Sequence, residues 1–131
     1  MKKALESPRV AKTKGPYVQG VAVSDGTLIF TSGVVARDAK GALQGIGDIA
    51  KQTRQCLKNI ENIVRAGGGS LRDISKVTVF LRDLRDYAGM NEVRREVLAG
   101  VPFASTTVQA QLNAPQALIE IEAVAFVSKK K

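Results

Sequence analysis

The chain has 131 residues, enough for one domain with a single core. It has no histidine and one cysteine, which excludes imidazole bases, Ser-His-Asp and Cys-His arrangements, His-bearing metal sites and an internal disulfide. The net charge of +8 admits small anionic ligands, but much of the excess is terminal, at Lys2, Lys3, Arg9, Lys12 and Lys14 and at Lys129 to Lys131.

Residues 1–14 read as a flexible basic arm, residues 15–128 as a single domain and 129–131 as a basic tail. No apolar segment follows the basic start, so no secretory leader is expected. No apolar run approaches membrane-spanning length, and a cytoplasmic chain is expected. Gly15 to Gly20 predicts a turn into a strand. Val21 to Ser24 and Thr27 to Thr31, joined by Asp25-Gly26, predict a β-hairpin. Val34 to Gly47 reads as loop or short strand, broken by Gly41, Gly45 and Gly47.

Asp48 is a plausible N-cap, and Ile49, Thr53, Cys56, Leu57, Ile60, Ile63 and Val64 then recur at helical spacing. Cys56 falls in that pattern and reads as a small buried residue, not a nucleophile. Gly67-Gly68-Gly69 stops the helix. The run follows a helix and precedes no Lys-Ser/Thr, so it is a cap and not a phosphate loop. Ile74 to Leu81 alternates as a strand, with Val77, Val79 and Leu81 on one face. Asp83 or Asp86 opens a second helix that runs to about Leu98, with Tyr87, Met90, Val93, Val97 and Leu98 on its apolar side.

A strand pair closes the chain, Phe103 to Leu112 and Leu118 to Phe126, with Asn113-Ala-Pro-Gln116 between them. In the second, Ile119, Ile121, Ala123 and Ala125 share a face, and Glu120 and Glu122 take the other. Carboxylates there either meet water or a salt-bridge partner, or line a pocket. The order β-β-α-β-α-β-β predicts an α+β fold, a mixed sheet with both helices on one face. The opposite face keeps apolar residues that so short a chain cannot cover, so other copies of the chain are expected to cover it.

At this point the sequence resembles the RidA/YjgF family of small enamine/imine deaminases, also called the endoribonuclease L-PSP family. The resemblance runs from about Gly15 to Val127. It rests on Gly15-Pro-Tyr-Val-Gln19, Phe30-Thr-Ser-Gly33, Gln52 to Ile60, Val77-Thr-Val-Phe-Leu81, Met90-Asn-Glu-Val93 and Ile119 to Ala125, in that order and at those spacings. It implies a chorismate-mutase-like fold and a homotrimer, with the sheets in a central barrel and ligand clefts between subunits. It also implies hydrolysis of a small enamine or imine to ammonia and a 2-keto acid, with no cofactor and no metal.

Carried over by position, the resemblance makes Glu120 the residue that holds or activates water. Tyr17 and Asn91 would line the pocket, Ser32 and Gly33 would offer backbone contacts, and Thr107 would stand near the ligand. The family arginine that grips a substrate carboxylate has no counterpart. The pattern Pro-Pro-Ala-Arg-Ser/Thr-x-Val stands here as Pro102-Phe-Ala-Ser-Thr-Thr-Val108, with Ser105 in the arginine position. Arg37, in the loop after the second strand, is a candidate replacement or a solvated loop residue. A non-catalytic ligand-binding trimer is the alternative reading. RNA binding or cleavage ranks last, because the chain lacks histidine and interleaved aromatic motifs.

Overall fold

The computed structural model describes residues 1–129. Its strands are β1 (Lys2–Leu5), β2 (Gly20–Val23), β3 (Gly26–Phe30), β4 (Ile74–Leu81), β5 (Ala104–Gln109) and β6 (Ile119–Ser128). The helices are α1 (Ile49–Ala66) and α2 (Tyr87–Val97).

Helix α1 begins where its cap dictates. The Asp48 carboxylate accepts the Lys51 amide at 3.0 Å, satisfying one of the free donors of the first turn. It ends because Gly67 and Gly69 return their amides to the Val64 carbonyl at 3.1 and 2.9 Å, while Gly68 takes φ +90°. Cys56, Leu57, Ile60 and Val64 are buried on its inner face. Asp83 caps a short 3-10 turn, Leu84–Asp86, which leads directly into α2.

Four strands form the main sheet in the order β3-β6-β4-β5. Strand β4 runs parallel to β5 and antiparallel to β6, and β3 is antiparallel to β6, so the sheet is mixed. Val77, Val79, Leu81, Ile119, Ile121, Ala123 and Ala125 form its buried face, in one cluster with the inner residues of α1 and α2. The other face carries Phe80, Glu120, Glu122 and Val124, all half-buried. Three apolar side chains stand exposed on it or beside it: Phe30 at 71%, Leu28 at 47% and Val108 at 41%.

Gln52 is a buried polar side chain whose bonds tie two loops to α1. Its Nε2 donates to the carbonyls of Gly45 and Gln116 at 3.2 and 3.1 Å, and its Oε1 accepts the Leu118 amide at 2.8 Å. Gln52→Leu leaves those groups unpaired in a dry interior. It is expected to cost about 3 kcal/mol of unfolding free energy. The readout is a lower urea midpoint at unchanged slope.

The structure revises the expected strands in three places. The predicted hairpin does not form. Asp25 does turn the chain, at φ 59°, but β2 pairs with β1 and β3 pairs with β6. Long β6 offers β3 a partner that lets Ile29 join the core, and this outweighs the local turn signal. The start of the presumed loose arm is strand β1, pairing Lys2 with Val23 through Leu5 with Gly20. The last two strands are not neighbours, because β4 lies between them. The order is thus β-β-β-α-β-α-β-β. Of the basic tail, Lys130 and Lys131 lie outside the described residues.

Candidate functional site

The candidate residues fall into two groups, fixed by strand register. Ser105 pairs with Val77 and Thr107 with Val79, so both side chains belong to the helix side of the sheet. Glu120 pairs with Phe80 and stands on the uncovered side. The two groups therefore occupy opposite faces within one copy of the chain.

The first group gathers where α2 meets β5. Arg94 projects from the inner side of α2 and has no exposed surface. Its Nη1 donates to Ser105 Oγ at 2.6 Å. Its Nε and Nη2 donate to Asn91 Oδ1, one turn earlier, at 3.3 and 2.9 Å. The guanidinium lies 5.6 Å from the Phe103 ring centre and 5.7 Å from that of Tyr17, within the range of cation–π attraction. Tyr17 is brought there by the next residue, whose amide bonds the Phe103 carbonyl at 2.8 Å as Val18 bridges Ala104. Burial holds the Arg94 pKa below its ordinary value, and the nearby Tyr87 and Tyr17 oppose the shift. Two residues beyond Ser105, Thr107 Oγ1 is buried and has no hydrogen-bond partner among the described residues.

Sequence reasoning missed Arg94. A signal was present. Position 94 follows Met90 by four residues and Asn91 by three, so it lies on the apolar stripe of α2 where a cation is out of place. Within one copy Arg37 stands apart from this group. It is exposed, and its Nη1 donates to the Gly41 carbonyl in its own loop at 3.1 Å. It lines a hollow of about 610 Å³ with Gly33, Asp38, Gln55 and Asn59, and Ser105 is no part of that hollow.

The second group forms at the edge of β6. Thr31 bonds the Ala123 carbonyl at 2.9 Å, and Val34 exchanges bonds with Ile121 at 2.8 and 2.9 Å. Between these anchors Ser32 and Gly33 bulge outward, and neither amide bonds another backbone carbonyl among the described residues. The Glu120 carboxylate rests against Gly33. A Cβ added there would meet Glu120 Oε2 at 2.6 Å. The lack of a side chain at Gly33 is what lets the carboxylate lie against that stretch of backbone.

Cys56 serves neither group. Its thiol is buried, donates to the Val34 carbonyl at 3.5 Å, and has a pKa pushed up to about 12 by burial first and by the Glu120 charge second. A thiol so protonated is a packing group. Among the described residues no three or more Cys, Asp or Glu side chains are placed to hold a metal ion. No helix among them is long and apolar enough to cross a membrane.

Three comparisons bear on this arrangement. The family model for endoribonuclease L-PSP matches residues 8–127. A RutC family protein of Pyrococcus horikoshii is 40% identical over 126 residues, covering 96% of this chain and 98% of that protein. The 3-aminoacrylate deaminase RutC of Acinetobacter baylyi is 38% identical over 112 residues, covering 86% of this chain and 87% of the enzyme. Among solved structures, a Rid-family protein of unknown function from Yersinia pestis superposes with a TM-score of 0.84. That match covers 96% of this chain and 98% of the other at 24% identity, and so bears on the fold alone.

Proposed function

Since the chain belongs to the endoribonuclease L-PSP family, the group of RidA, YjgF and RutC proteins, we propose that it is a hydrolytic deaminase of a small, reactive enamine or imine. Copies assemble as a homotrimer with their uncovered sheet faces inward. Each cleft takes Glu120, Ser32 and Gly33 from one copy and Tyr17, Asn91, Ser105 and Thr107 from the next. Two features support this assembly. The groups cannot meet within one copy, and Phe30, Leu28 and Val108 need a cover.

The chemistry asks little of the protein. The carbon of an imine is already electrophilic. Glu120 accepts a proton from water as the oxygen bonds that carbon, and the proton passes on to nitrogen. Collapse of the resulting carbinolamine breaks the C–N bond, leaving a carbonyl compound and ammonia. The Ser32 and Gly33 amides stand beside the carboxylate and hold the water or the developing oxyanion.

The observation that carries the reading is the Glu120 carboxylate seated against Gly33, in a loop whose Ser32 and Gly33 amides bond no backbone carbonyl among the described residues. The test is ammonia release from an imine formed in situ by an amino-acid oxidase. The wild-type protein is expected to accelerate release over buffer, and Glu120→Gln to lose about 10²-fold or more of that acceleration. Ser105 at the arginine position favours the second reading, a trimer that binds such a molecule without turning it over. Equal rates with and without protein would leave that reading in place of the first.

A further inference from the structure

We propose that Arg94 is a positioning residue for a carboxylate subsite, supplying through Ser105 the positive charge that the side chain at 105 lacks. The proposal rests on the deaminase reading for the kind of molecule bound, and on geometry for everything else. Arg94 is a fully buried cation whose hydrogen-bond acceptors, Ser105 Oγ and Asn91 Oδ1, are both neutral. The ion pairs among the described residues lie elsewhere, at Arg54–Glu96, Lys58–Glu61, Arg65–Glu61 and Arg85–Asp83. A buried charge without a counter-charge is costly, and an arriving anion removes that cost.

Contact is made through hydroxyls. Arg94 Nη1–H occupies a lone pair of Ser105 Oγ, which turns the Ser105 proton away from the guanidinium. That proton has no acceptor among the described residues, and donation from a cation makes the hydroxyl a stronger donor in turn. Thr107 Oγ1, two residues along the same strand and on the same side, is buried and unpaired. Two adjacent hydroxyl donors suit the two oxygens of a carboxylate. The Tyr17 and Phe103 rings beside the guanidinium, and Asn91 on its other edge, keep the charge aimed at Ser105. A second guanidinium at position 105 would crowd that of Arg94 with like charge. The small hydroxyl and the buried arginine are therefore a matched pair, and Arg94 never needs to reach the surface.

The test compares equilibrium binding of pyruvate and of pyruvamide, its uncharged analogue, by calorimetry on the intact assembly. The wild type is expected to favour pyruvate by about 10-fold or more, the scale of one charge-assisted contact. Ser105→Ala and Arg94→Gln should each bring the ratio close to unity, and Arg94→Lys should retain part of it. Should Arg94→Gln fail to fold, Ser105→Ala decides, because it leaves the buried charge and its other contacts in place. A wild type that binds neither probe, or both equally, overturns the proposal. So does a preference that survives in Ser105→Ala, or tighter binding of inorganic phosphate than of pyruvate. The readout needs no turnover, so its failure is distinct from a failure of ammonia release in the Glu120 experiment.

Discussion

Gly33→Ala is expected to lower ammonia release by about 10²-fold while leaving the thermal midpoint nearly unchanged. The added methyl would stand 2.6 Å from Glu120 Oε2 and 3.2 Å from its Cγ. Neither atom is backbone, and Gly33 does not occupy the left-handed region, so the fold relaxes by turning the glutamate away. That relief costs little stability. It moves the carboxylate by about 1 Å or more from the Ser32 and Gly33 amides, and a displacement of that size at a reacting centre costs on the order of 10²-fold. The check is kcat measured beside a thermal melt. A drop in activity of the expected size with an intact melt separates positioning from folding. Unchanged activity would mean that the carboxylate has no role in its present place.

The second large effect concerns assembly. Phe30→Glu is expected to yield monomers by sedimentation and to abolish ammonia release. Phe30 is 71% exposed, lies across from Val124, and shares a small hollow with Glu122 and Lys76. Covering a phenylalanine contributes about 1.5–3 kcal/mol, and the substitution loses that in every copy at once. It also places a charged side chain, beside Glu122, on a face that the assembly would take out of water. Each copy should stay folded, since Phe30 is outside the buried cluster. Activity should vanish with the assembly because the two half-sites occupy opposite faces of the sheet. Full activity in a monomer would contradict the shared cleft.

Much of the scaffold could be read from the chain because its signals are local. Asp48, the apolar spacing through Val64 and the three glycines bound α1 within a residue of where it lies. Strand β4 coincides with the alternating run Ile74 to Leu81. The misreadings concern partners. Asp25-Gly26 is a sound turn signal, yet it says nothing of a strand about a hundred residues away that competes for β3. Strand β1, Lys2-Lys-Ala-Leu5, carries no alternation of its own and exists through its pairing with β2.

The site divides in the same way. Glu120 and Gly33 are each legible in the sequence, but their contact follows from the bulge between Thr31 and Val34, which no spacing announces. Ser105 by itself carries no charge. The charge itself lies eleven residues earlier on a helix, and only the packing of α2 on β5 brings Arg94 to it. A cation on an apolar stripe was the available clue, and its meaning is tertiary.

In the proposed homotrimer, the carboxylate and the buried guanidinium on opposite faces of one sheet would tie each copy to two different neighbours around a ring. A lesion on one face of a single copy would silence only the crevice shared with that one neighbour, whereas the same lesion in every copy silences them all. Two inactive variants, one damaged on each face, could then restore some working crevices when mixed, with neither chain repaired.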